Sequence, residues 1–312
     1  MSAHRRWGDA TRAVHAGLAG PEQGRPLLAG PTFASLFHLR GDPEGASYSY
    51  GRYGNPTWSA YECALEELEG GPAAVFSSGM AAVSAVMLAH LGPGDVVVVA
   101  AGGYMGTRDL ARDHLARLGV EVRSVRAGEE LGDAIADARL VWLESPSNPA
   151  LEIWDIAAIA AEAHAAGALV AVDNTSATPL SQRPLELGAD FSVCSDTKAL
   201  TGHSDLVLGH VAASAPAGLE AVRAWRQTTG SIAGPFETWL AHRSLATLEL
   251  RLDRQCSTAM ALAERLSAHP HVVDVRYPGL AGAPDHALAA PRRPGAVGRR
   301  RSRGPRSLQR RL

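Results

Sequence analysis

Lysine occurs once in this chain, at Lys198 within SVCSDTKALTGHSD (residues 192–205); the other 29 of its 30 basic residues are arginine. A guanidinium keeps its proton at any working pH, whereas an amine in a suitable setting can lose its proton and attack a carbonyl. Lys198 is therefore a candidate nucleophile, weighed against a plain surface lysine in an arginine-rich chain. Its neighbours bear on the choice. Ser195 and Thr197 stand at alternate positions; if the strand before them continues, both hydroxyls face one side and can donate to a phosphate. Upstream, Ser77-Ser78-Gly79 leads from the apolar run PAAVF into an amphipathic stretch. The backbone amides of Gly79 and Met80 would open a helix there, and a helix N-terminus suits an anion. A plain serine cap would leave the same trace.

Asp173 closes the apolar run GALVAVD. A carboxylate at the end of a buried strand needs a cationic partner. A pyridinium nitrogen is one; a metal ion, or an ordinary capping role, fits the single residue as well. As a set, the amine, the hydroxyls, the helix end and the acid match pyridoxal 5′-phosphate. Its aldehyde would meet Lys198, and an acid opposite its ring nitrogen keeps the ring protonated as an electron sink.

The elements that must position these residues read as α/β. From about residue 60 to 215, apolar runs alternate with amphipathic stretches. The runs at 94–100, 120–125, 139–145, 167–173, 190–196 and 205–214 read as strands. TRDLARDHLARLG and DIAAIAAEAHAAG carry apolar residues at helical spacing and stop at glycine. Near-continuous apolar strands between helices predict a mostly parallel sheet covered on both faces, with ligands at the strands' carboxyl ends. A long helical stretch follows from Pro235, and then VVDVRYPG, which reads as the first strand of a second domain. Residues 1–58 are rich in Gly and Pro and read as an extended arm.

Six ordered segments, YSYGRYGNPT, ALEELEGG, SSGMAA, ESPSNP, VDNT and SDTKALTGHSD, together with TRAVHAG, resemble the Cys/Met-metabolism family of pyridoxal-phosphate enzymes over roughly residues 10–285. That resemblance implies the fold of type I pyridoxal-phosphate transferases, as in aspartate aminotransferase. It also implies a C–S lyase that cleaves cystathionine to cysteine, 2-oxobutanoate and ammonia, with γ-synthase activity as the alternative. Lys198 would bind the cofactor covalently and shuttle protons, and Asp173 would hold the pyridinium. Gly79, Met80, Ser195 and Thr197 would bind phosphate. Tyr104 would stack on the ring and act on amine or leaving group; Asn148 would lie near the phenolic oxygen and the substrate carboxylate. Tyr50 and Arg52 would cross to the neighbouring subunit's phosphate, which implies a homodimer or homotetramer with shared active sites. Gly106 stands where methionine γ-lyases of this kind usually carry a cysteine, which ranks that activity lower.

The implied plan is an arm over 1–58, a cofactor-binding large domain over 59–250, and a long helix with the start of a truncated C-terminal domain over 251–290. An aberrant or disordered Arg-rich tail over 291–312 completes it. Such a truncation leaves no residue to assign as the substrate-carboxylate arginine, and a chain that binds the cofactor with little turnover is a further alternative.

Composition excludes other classes. The N-terminus lacks the apolar core of a secretory signal, and no apolar run is long enough to span a bilayer. Cys63, Cys194 and Cys256 are widely spaced, which argues against a zinc site or a disulfide framework and for a reducing cytoplasm. The last 21 residues hold nine Arg and no acid. They have neither aromatic interleaving nor helical period, so nucleic-acid binding is not the expected function.

Overall fold

The computed structural model describes residues 7–289, so the Arg-rich segment 291–312 lies outside the described residues. Its helices and strands follow the apolar rhythm of the sequence. Helix α1 spans Asp9–His15 and α2 Pro56–Glu69; then come β1 (Ala73–Phe76), α3 (Gly79–His90) and β2 (Val96–Ala100). Helix α4 (Met105–Asp109) continues through Leu118 with irregular turns before β3 (Glu121–Val125), α5 (Gly132–Ile135) and β4 (Leu140–Glu144). Next are α6 (Ile156–Ala165), β5 (Leu169–Asp173), α7 (Thr178–Ser181), β6 (Phe191–Cys194) and β7 (Gly209–Ala213). The described chain closes with α8 (Pro216–Thr229), α9 (Pro235–Leu245), α10 (Leu248–Ser267) and α11 (His286–Ala289).

The seven strands form one sheet in the order β1-β7-β6-β5-β4-β2-β3. Strands β2 to β6 run parallel, and β7 lies antiparallel to both β6 and β1. Every residue of β1, β2, β4, β6 and β7 is buried, as strands covered on both faces must be. Edge strand β3 is largely open. One apolar layer holds Val83, Val86, Met87, Phe191 and Leu219. Another joins Val98, Val141, Ile156 and Val172. A third packs Tyr61, Leu65 and Leu68 of α2 against Leu208, Ala212 and Leu245.

Two segments differ from the sequence expectation. The arm starts with helix α1, whose Ala13 is buried, and Ala16 just after it is buried too. His242 of α9 bonds the Ala16 carbonyl at 2.8 Å, which ties this part of the arm to its own chain. Residues 272–278, read from VVDVRYPG as a strand, form none. Val273 is fully exposed, and no neighbouring strand offers the ladder bonds an extended run requires.

Candidate functional site

Asp173 ends β5 beside Glu144, which ends β4 in direct register with it. Both strands are apolar up to their last residue, so these two acids are brought to the sheet's carboxyl edge together. Asp173 is 7% exposed. It accepts the Thr175 N–H at 3.0 Å, and burial pushes its carboxyl pKa up despite that bond and the Thr175 hydroxyl. No ion pair reaches it among the described residues. Glu144 is pushed up to about 8 by burial and then by the Asp173 charge, although it accepts the N–H groups of Tyr104 and Asn148. Two crowded acids, of which Glu144 feels the Arg108 charge and Asp173 faces no cation among the described residues, form a pocket edge that favours a positively charged ring.

On the neighbouring connection, Ser78 caps α3 by accepting the Ala81 N–H at 3.0 Å. The N–H groups of Gly79 and Met80 open that helix with no backbone acceptor among the described residues. A Cβ on Gly79 would sit 2.6 Å from the Cβ of Ser195 and 2.9 Å from its hydroxyl. One on Gly209 would sit 2.6 Å from the Gly79 nitrogen and the Ser78 carbonyl oxygen. Two glycines thus let the start of α3, the start of β7 and Ser195 close on one another. Thr175 completes the link: its hydroxyl accepts the Ser195 N–H at 2.8 Å while bonding Asp173.

Lys198 lies exposed on the turn that follows β6. Its N–H donates to the Ser195 carbonyl at 3.1 Å, and its carbonyl accepts the Gly202 N–H at 2.8 Å. Because β6 ends at Cys194, strand alternation does not reach Thr197. The Thr197 hydroxyl instead donates to the Leu208 carbonyl and accepts the Leu208 N–H, each at 3.1 Å. Arg251 of α10 seals the far side of the turn, donating to the carbonyls of Ala199 at 2.5 Å and Leu200 at 3.0 Å.

Tyr104 precedes α4, half-exposed, and its backbone is fixed by Glu144. A Cβ on Gly106 would lie 2.7 Å from the Tyr104 ring and 3.1 Å from the Met80 sulfur, so Tyr104 and Met80 share one corner. Asn148 is exposed on the turn after β4. Tyr50 and Arg52 are not drawn in: the Arg52 guanidinium lies over the rings of Tyr50 and Tyr53 and donates to the Gln227 carbonyl of α8.

Sequence reasoning overlooked Glu144, Thr175 and Arg251 as site residues. Glu144 carried the same signal as Asp173, an acid closing an apolar strand. Thr175 stood inside VDNT, but its bridge to Ser195 is a tertiary contact. The residues present fit pyridoxal phosphate: the glycine cradle and helix end are open to an anion, and buried Asp173 at the sheet's carboxyl edge has no cationic partner among the described residues.

A family model described as "Cys/Met metabolism PLP-dependent enzyme" matches residues 10–298. A Streptomyces coelicolor protein named "Putative cystathionine gamma-lyase" is 52% identical over 289 residues, which cover 91% of this chain and 73% of that one. The cystathionine gamma-synthase of Mycobacterium tuberculosis is 42% identical over 293 residues, with 91% and 74% covered. Among solved structures, the cystathione gamma lyase CalE6 from Micromonospora echinospora superposes with a TM-score of 0.85 at 41% identity, covering 91% of this chain and 75% of that one.

Proposed function

The chain belongs to the Cys/Met-metabolism family of pyridoxal-phosphate-dependent enzymes, and from that membership we propose that it cleaves cystathionine by α,γ-elimination. With one water consumed, the products are cysteine, 2-oxobutanoate and ammonia. The observation that carries the site is the closure of Gly79 on Ser195 beside the turn that bears Lys198. The lyase reading leans on the 52% identity to a relative of that name, above the 42% to a synthase.

When bound, pyridoxal phosphate supplies an electron sink for the pair left by a broken Cα–H bond. The chain's own groups do the rest. The N–H groups of Gly79 and Met80 and the Ser195 hydroxyl would hold the phosphate, with Thr197 shaping the turn beside them. The Asp173 carboxylate would hold the cofactor by its ring nitrogen and favour the protonated ring. Lys198 Nζ would be the group that holds the cofactor, and its free amine would accept the Cα proton and return it elsewhere on the substrate. The Tyr104 side chain would help hold the cofactor, and its hydroxyl would supply a proton to the departing sulfur. Asn148 orients the substrate carboxylate. Gly106 leaves the Tyr104 ring in place where any side chain would push it away.

Arg52 and Tyr50 complete the neighbouring subunit's phosphate site, in a homodimer or a pair of homodimers. Three unpaired cysteines support a reducing compartment, the cytoplasm. Among the described residues no helix is long and apolar enough to cross a membrane.

The test is direct. Purified protein with pyridoxal phosphate should absorb near the visible edge and release 2-oxobutanoate from cystathionine. Cystathionine made from cysteine and an O-acylhomoserine, with no 2-oxo acid from cystathionine, would establish the synthase reading instead.

A further inference from the structure

Behind the lysine-bearing turn lies a fully buried polar cluster that the reaction above does not use. His210 of β7 pairs across the sheet with Cys194 of β6, and Asp196 follows two residues later. The His210 Nδ1 meets an Asp196 carboxylate oxygen at 2.5 Å, and its Nε2 meets Glu69 of α2 at 3.1 Å. The second Asp196 oxygen accepts the Tyr61 hydroxyl at 2.9 Å, also from α2. All four side chains are 0% exposed. Both imidazole nitrogens face carboxylate oxygens, an arrangement that favours two donating N–H groups and hence an imidazolium. Burial alone would pull its pKa down; Asp196 and then Glu69 hold it up at about 10. The Cys194 thiol donates to Glu69 at 3.8 Å and stays protonated, pushed up by burial and by the Glu69 charge. Glu69, Cys194 and His210 also group like metal ligands, but an imidazolium has no lone pair to coordinate an ion.

Asp196 is the hinge of this arrangement. Its carbonyl accepts the Thr201 N–H at 3.0 Å and closes the turn holding Lys198, while its carboxylate is fastened from below. Burying two carboxylates beside one imidazolium is costly, and a small apolar residue would fill the space more cheaply. A charge-assisted bond does what apolar packing does not: it fixes direction.

We infer that His210 and Asp196 are positioning residues for Lys198: the buried Glu69–His210–Asp196 bridge fastens the start of the lysine-bearing turn to α2 and β7. The inference rests on the reading of Lys198 as the cofactor's attachment point. Its test uses Asp196→Asn, His210→Gln and the milder Tyr61→Phe, each against the parent protein and against Leu65→Ala. Leu65 is buried on the same helix and serves as a control for simple loss of stability. Borohydride fixes the cofactor on its lysine as a secondary amine, so peptide mapping reports attachment separately.

Asp196→Asn and His210→Gln should still label at Lys198 and should weaken pyridoxal phosphate binding roughly tenfold, the loss typical of a partner that orients a binding group. Their visible circular dichroism band should fall by more than half; Tyr61→Phe should shift both in the same direction by less. Leu65→Ala, at a comparable drop in apo melting temperature, should leave the band unchanged. Affinity and band within twofold of the parent in all three variants would overturn the inference while leaving attachment intact. So would equimolar zinc in the parent that His210→Gln loses. Absence of label in the parent itself would instead overturn the cofactor reading on which the inference stands.

Discussion

At the scale of single residues, the proposed roles of Lys198 and Asp173 are separable by mutation. Lys198→Ala removes the chain's single side-chain amine, so no borohydride-stable adduct should form anywhere but the N-terminus, as read by intact mass. Asp173→Asn keeps the shape of the strand end but not the charge. Cofactor should remain bound while kcat falls about 10²-fold, the scale of losing one preorganised electrostatic contact. Glu144 adds a pH signature in the cofactor-free protein. Its carboxyl is held up at about 8 in the folded state, above its unfolded value, so folding takes up a proton between the two. Apo stability should therefore fall as pH rises from about 4.5 to 8, and Glu144→Gln should flatten that slope in urea titrations.

At the scale of elements, glycine contacts and strand ends decide the site. Gly209→Ala sets a methyl group against the backbone of Ser78 and Gly79. Because backbone cannot step aside as a side chain can, a loss of about 1–3 kcal/mol is expected, with weakened phosphate binding measured by dialysis. The β6–β7 pair contributes a second pH dependence, of distinct range. His210 is held up at about 10, so the stability it lends is fully present below its unfolded value and is lost as pH climbs through 10. His210→Gln should remove that alkaline limb of the denaturation profile. These elements also show what the sequence could convey. The place of Asp173 at a buried strand end was legible because an acid ending an apolar strand stands out in one short run. Ser195 and Gly79 were legible as separate signals, but their contact was not, since it depends on how β7 returns between them. Strand alternation did not carry to Thr197, because the end of β6 at Cys194 is set by its pairing with β7, not by local pattern. His210 carries no local signal inside an apolar strand, and its partner Glu69 lies 141 residues away.

At the scale of the whole molecule, the parallel strands β2 to β6 followed from alternation, whereas the antiparallel place of β7, the arm and the segment after α10 did not. The arm has too little periodicity to reveal α1, and residues 272–278 have strand composition without a strand to pair with. The shared-site reading has its own arithmetic. If Arg52 serves the partner's phosphate, mixing Lys198→Ala and Arg52→Ala chains rebuilds one intact site in every mixed dimer. Random assortment should then restore about a quarter of the parent activity, read as 2-oxo acid release against each variant alone. If Arg52 serves its own subunit, mixing restores nothing. The solvent-facing perch of Lys198 has one more outcome. Acylating reagents that scatter over most protein surfaces have a single ε-amine here to find, and a seated cofactor would hide it. Loss of dye uptake at that position thus becomes a gauge of how many sites in a preparation are filled, readable without any substrate at all.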